Sequence, residues 1–89
     1  MLTETILIIN KRGLHARAAA KFATTAAQFN SRIQVRTGGN WVDAKSVMSL
    51  MLLAATQGTH IELSIEGEDE VTALQTVKQL IDNRFEEDE

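Results

Sequence analysis

Between residues 60 and 66 the chain alternates without a break, Ile61, Leu63 and Ile65 against His60, Glu62, Ser64 and Glu66. Successive side chains of a strand point to opposite faces, so this segment has one dry face and one wet face. A sheet built on it needs cover on one side only. Ile33 and Val35 alternate in the same way with Arg32, Gln34 and Arg36. Gly38-Gly39-Asn40 then supplies the positive-φ residues of a tight turn before Trp41 to Asp43, which predicts a hairpin. Glu4 to Ile9, short and rich in β-branched residues, reads as a buried strand, and Asn10 to Gly13 breaks it.

The cover for that sheet is written at helical period. Ala19, Phe22, Ala23 and Ala26 fall at i, i+3, i+4 and i+7, so 16–29 reads as an amphipathic helix favoured by its many alanines. Residues 47–55 read as a second, short and very apolar helix that begins after Ser46 and stops at Gln57-Gly58-Thr59. Glu68, Asp69 and Glu70 place negative charge at the start of a third, whose buried side is marked by Leu74, Val77 and Ile81. The order is β-α-β-β-α-β-α. An α+β fold follows, an open-faced sandwich with a four-stranded, largely antiparallel sheet and three helices on one face. With 44% hydrophobic residues, no proline, no repeat and no low-complexity tract, residues 1–89 are expected to form a single domain.

The chain has no cysteine, which excludes disulfides, thiolate metal sites and cysteine nucleophiles. With only His15 and His60 as histidines, no metal site and no cofactor are expected. The N-terminus lacks a basic n-region and an apolar core long enough for a signal peptide or a span, so a cytoplasmic protein without membrane insertion is expected. Lys and Arg number 9 against 12 Asp and Glu, a formal charge of -3, which argues against nucleic acid as a partner. The charge is uneven: Lys11, Arg12, Arg17, Lys21 and Arg32 lie early, while Glu86-Glu87-Asp88-Glu89 closes the chain. The basic group around His15 fits an acidic partner, and equally fits scattered surface charge.

Gly13-Leu14-His15-Ala16-Arg17 sits where the first strand-to-helix loop meets a helix N-terminus, with His15 at or beside the N-cap. Ser, Thr, Asp and Asn are preferred there, so a histidine calls for a reason. The free N–H groups of Ala16, Arg17 and Ala18, the helix dipole and the Arg17 charge favour an anion, and the same positive field leaves a ring lone pair for attack on phosphorus. Read alone, His15 and Arg17 also fit a solvated loop residue beside a surface charge, because motifs this short recur by chance. Ser46 has the plain role of an N-cap, which does not compete with phosphorylation at the same hydroxyl. Val47, Met48, Met51 and Leu52 are more apolar than one core-facing stripe requires; either part of this set stays exposed as a docking patch or all of it packs inside.

Taken together these segments resemble the HPr family, the histidine-containing phosphocarriers of the bacterial phosphoenolpyruvate-dependent phosphotransferase system. Gly13 to Arg17 is similar to the family's active-site segment, and Ala44-Lys45-Ser46-Val47-Met48 to its regulatory-serine segment. Thr56 to Thr59 and Glu66 to Glu70 resemble its later landmarks. The resemblance implies a monomeric carrier with a phosphohistidine intermediate rather than a stand-alone catalyst. His15 would be phosphorylated on Nδ1 by Enzyme I, Arg17 would assist, and IIA proteins would accept the group. Helix residues around Met48 and Met51 would dock both partners, and Ser46 would be the target of HPr kinase/phosphorylase. The sequence departs at Ala18, where the family usually has proline; both residues suit a first helical turn. Sugar-branch and nitrogen-branch carriers look alike at this level. The alternative is a purely regulatory module controlled at Ser46, while a small RNA-binding domain is disfavoured by few aromatics and acidic charge.

Overall fold

The computed structural model describes residues 1–87. β1 (Leu2–Leu7), α1 (Ala16–Ala27), β2 (Arg32–Arg36), β3 (Val42–Asp43), α2 (Val47–Leu52), β4 (His60–Glu66) and α3 (Glu70–Asp82) follow in that order, and a 3-10 turn occupies Arg84–Glu86. The strands form one sheet in the order β1-β4-β2-β3. Every pairing is antiparallel, with Ile6 opposite Ile61, Ile33 opposite Ile65 and Val35 opposite both Leu63 and Val42. Paired residues share a face, so the alternation read from β2 and β4 sums into one apolar surface. Ile6, Ile33, Val35, Ile61, Leu63 and Ile65 are buried on it beneath Phe22, Ala26, Leu50, Val77 and Ile81 of the helices. The predicted open-faced α+β sandwich is the observed fold.

Several boundaries move. The first strand runs over Leu2–Leu7 rather than residues 4–9 and lies at an edge, pairing with β4 alone. Its inward Glu4 meets Lys78 of α3 at 3.1 Å, a charge where a central strand would carry an aliphatic residue. α1 ends at Ala27, two residues early, with Phe29 only partly buried against the core. α2 ends at Leu52 rather than 55, because Ala54 takes a left-handed φ of 51°. Trp41 falls outside β3, its ring lying under the Arg36 guanidinium at 4.3 Å.

The acids expected to start the third helix divide their work. Glu70 stands in the first turn of α3. Asp69, its N-cap, turns its carboxylate away and accepts from the backbone N–H groups of Asn30 (2.8 Å) and Ser31 (2.9 Å) and from the Ser31 hydroxyl. Gly67 makes room for this, since a Cβ there would lie 2.7 Å from Ser31 Cα.

Candidate functional site

The loop that carries His15 is fixed at both ends by backbone bonds to the segment between α2 and β4. Ile8 N donates to Thr59 O and Gly58 N to Ile8 O at 2.8 Å, while Leu14 N donates to Ala55 O at 2.8 Å. Gln57 adds a side-chain bond to Ile9 O. Gly13 lies at φ 65° with Ala55 O only 2.5 Å from where a Cβ would be, so only glycine lets the two segments approach this closely. Leu14 is buried in the core, and His15 directly after it is half-buried at the surface.

His15 is the N-cap of α1, in extended conformation at φ -76° and ψ -179°. Its Nδ1 accepts from the backbone N–H of Arg17 at 3.3 Å, the bond a serine or aspartate makes at this position. Ala16 and Arg17 are exposed, while Ala18 is fully buried. The open end of a 12-residue helix thus surrounds a ring nitrogen with donors and the positive end of a dipole.

The other face of the ring meets a residue that sequence reasoning passed over. Nε2 of His15 is hydrogen-bonded to Oε2 of Glu87, and the two side chains are 22% and 11% exposed. Oε1 of the same carboxylate accepts from Asn10 Nδ2 at 2.9 Å, and that amide also donates to Gly13 O at 2.8 Å. Burial alone would raise the Glu87 carboxyl, but the hydrogen bonds from His15 and Asn10 and the charge of Arg12 hold it below its usual range. An ionised carboxylate accepts only, so Nε2 carries the proton, and Nδ1, which accepts from Arg17 N, offers its lone pair. Asn10 is fully buried, and the acidic run at 86–89 was visible as composition. No periodicity links either to His15, and of that run Asp88 and Glu89 lie outside the described residues.

Ser46 is a half-buried N-cap whose hydroxyl accepts from Ser49 N at 3.3 Å. Beside it Met48 is 70% exposed and Leu52 80%, with Val47 and Met51 also exposed, whereas Leu50 alone of α2 is buried. This six-residue helix therefore turns most of its apolar surface outward. Among the described residues there is no group of three His, Cys, Asp or Glu that could hold a metal ion, and no helix long and apolar enough to cross a membrane.

Residues 2–83 match the family described as the PTS HPr component phosphorylation site. The phosphocarrier protein HPr of Xylella fastidiosa strain 9a5c is 51% identical over 88 residues, covering 99% of each chain. Among solved structures, HPr-C-His from Thermoanaerobacter tengcongensis superposes with a TM-score of 0.95 at 45% identity, covering 100% of both chains. The HPr dimer from the same organism gives 0.78 at 46% identity, covering 98% of this chain and 100% of that one.

Proposed function

The chain belongs to the HPr family of phosphocarriers, and from that premise we propose that the phosphoryl group travels on Nδ1 of His15. Its role is that of a phosphoryl carrier in the phosphotransferase system. The observation that carries the residue assignment is the N-cap geometry: Nδ1 holds a lone pair at the open end of α1, directed at the Arg17 N–H. A phosphoryl group bonded there would replace that N–H···N contact with hydrogen bonds to its own oxygens. The backbone N–H groups of Ala16, Arg17 and Ala18 and the Arg17 guanidinium form the proposed cradle, with Ala16 and Arg17 outermost.

In this reading Enzyme I is the donor and IIA proteins are the acceptors, one after the other on the same patch of Val47, Met48, Met51 and Leu52. Methionine suits a surface that receives several partners, because its flexible thioether adapts to different shapes. Ser46, at the edge of that patch, is the proposed regulatory phosphorylation site and HPr kinase/phosphorylase its modifier. The working unit is a monomer of one domain, 1–89, in the cytoplasm, and sedimentation of the purified chain separates monomer from dimer. Incubation with Enzyme I and phosphoenolpyruvate, followed by intact-mass measurement and site mapping, tests the assignment. One acid-labile, base-stable phosphoryl group on His15 is expected, and labelling that survives His15→Ala would overturn it.

A further inference from the structure

Three features outside the proposed phosphate cradle converge on the second nitrogen of His15. The first is the Glu87 carboxylate on Nε2, and the second is the buried Asn10 amide that holds the other oxygen of that carboxylate. The third is the tail that brings Glu87 there. Arg84, Phe85 and Glu86 lie at φ 57°, 54° and 64°, three successive left-handed residues that reverse the chain after α3. Phe85 is fully buried, its ring 6.3 Å from that of Phe22, and Lys21 Nζ donates to Phe85 O at 3.0 Å. Three successive non-glycine residues do not adopt this conformation unless tertiary contacts impose it. The buried Asn10 spends its amide on orienting a carboxylate. This is the arrangement in which a carboxylate orients a histidine that must react through its other nitrogen.

We propose that Glu87 is a positioning residue for phosphoryl transfer, acting through His15; the inference rests on His15 being the phosphorylated residue. In the free carrier Glu87 fixes the ring by accepting the Nε2 proton. Arrival of the phosphoryl group then uses the Nδ1 lone pair to form the N–P bond, while the bond from phosphorus to the donor breaks and its electron pair returns to the donor atom. No proton moves. The ring keeps hydrogen on Nε2 and acquires positive charge as the N–P bond forms, and the Glu87 carboxylate stands against that charge at the nitrogen where it is shared. When the group leaves, the same steps run backwards and the ring returns to neutral with its orientation kept. Because the interaction strengthens as charge develops, it acts on the rate of transfer more than on the stability of the free carrier.

The test compares the full-length protein with Glu87→Gln and Glu87→Ala. Glutamine offers a carbonyl oxygen to Nε2–H without the charge, and alanine offers neither. In NMR spectra of the unphosphorylated proteins, a far-downfield His15 Nε2 proton protected from exchange is expected in the parent. It should be weaker in Glu87→Gln and absent in Glu87→Ala. Phosphorylation by Enzyme I and phosphoenolpyruvate, followed over a range of carrier concentrations, should show kcat reduced on the order of tenfold in Glu87→Ala, the effect of one charge-assisted hydrogen bond. Glu87→Gln should be intermediate and KM little changed, with melting curves confirming that all three are folded. Equal kcat in the three proteins, or a faster Glu87→Ala, would overturn the proposal while leaving His15 as the carrier residue. Absence of His15 labelling in the parent would overturn both, and the Nε2 proton would then report a structural contact alone.

Discussion

At the scale of single residues, the site rests on one unusual choice, a histidine where helix geometry favours a small oxygen-bearing side chain. His15 performs the cap through Nδ1, so the nitrogen proposed to accept phosphorus already faces a backbone donor. On that proposal, phosphorylation would change the acceptor at this end of α1 from a ring nitrogen to phosphoryl oxygens without requiring the helix to move. Arg17 is exposed and makes no side-chain bond among the described residues, so its charge contributes little to the resting fold. Arg17→Ala should leave the melting temperature nearly unchanged and slow phosphoryl transfer by roughly a hundredfold to a thousandfold, the range for removing one donor from a developing negative charge. Stopped-flow or quench measurements with Enzyme I check it, and equal rates would make Arg17 a bystander.

At the scale of elements, two helix starts show how similar residues take different tasks. Asp69 begins α3 yet ties the chain before β2, and the Ser31 hydroxyl together with the Asn30 and Ser31 N–H groups holds its carboxyl below the ordinary aspartate value of 3.8. A carboxyl depressed in the folded state stabilises the fold above its unfolded value, and that stabilisation disappears as pH falls through the folded one. Asp69→Ala should therefore melt lower than the parent at neutral pH, with the difference closing as pH falls below 3.8 and through the depressed folded value. A gap that stayed constant in melting curves across that window would place the effect elsewhere. α2 behaves differently, because Met48 and Leu52 contact little of the core. Met48→Ser combined with Leu52→Ser should shift stability by no more than about 0.5 kcal/mol per site, as exposed positions do, yet slow transfer from Enzyme I. A large loss of stability in denaturant titration would show instead that Met48 and Leu52 pack with Leu50 into the core.

At the scale of the whole molecule, the C-terminal turn joins the core to the site. Left-handed backbone disfavours non-glycine residues at Arg84, Phe85 and Glu86, and burying the Phe85 ring offsets part of that cost. Phe85→Ala should cost on the order of 3–5 kcal/mol in denaturant unfolding and also release Glu87, removing the protected Nε2 proton of His15 although the ring itself is untouched. Survival of that proton in the variant would mean that Asn10 alone holds the carboxylate. The alternation at His60–Glu66 and Arg32–Arg36 and the helical spacing of Ala19, Phe22, Ala23 and Ala26 determined the fold class, since a period of two or of 3.6 is a local property that burial then obeys. Sequence also located His15 at a helix start and Ser46 at another, because caps are set by residues that are neighbours along the chain. Tertiary structure alone decided that β1 lies at an edge, that α2 turns Met48 and Leu52 outward, and that Glu87 reaches His15 across 72 positions. That last contact has no period and no spacing; it exists because Phe85 finds a place beside Phe22, and only the folded core supplies that place.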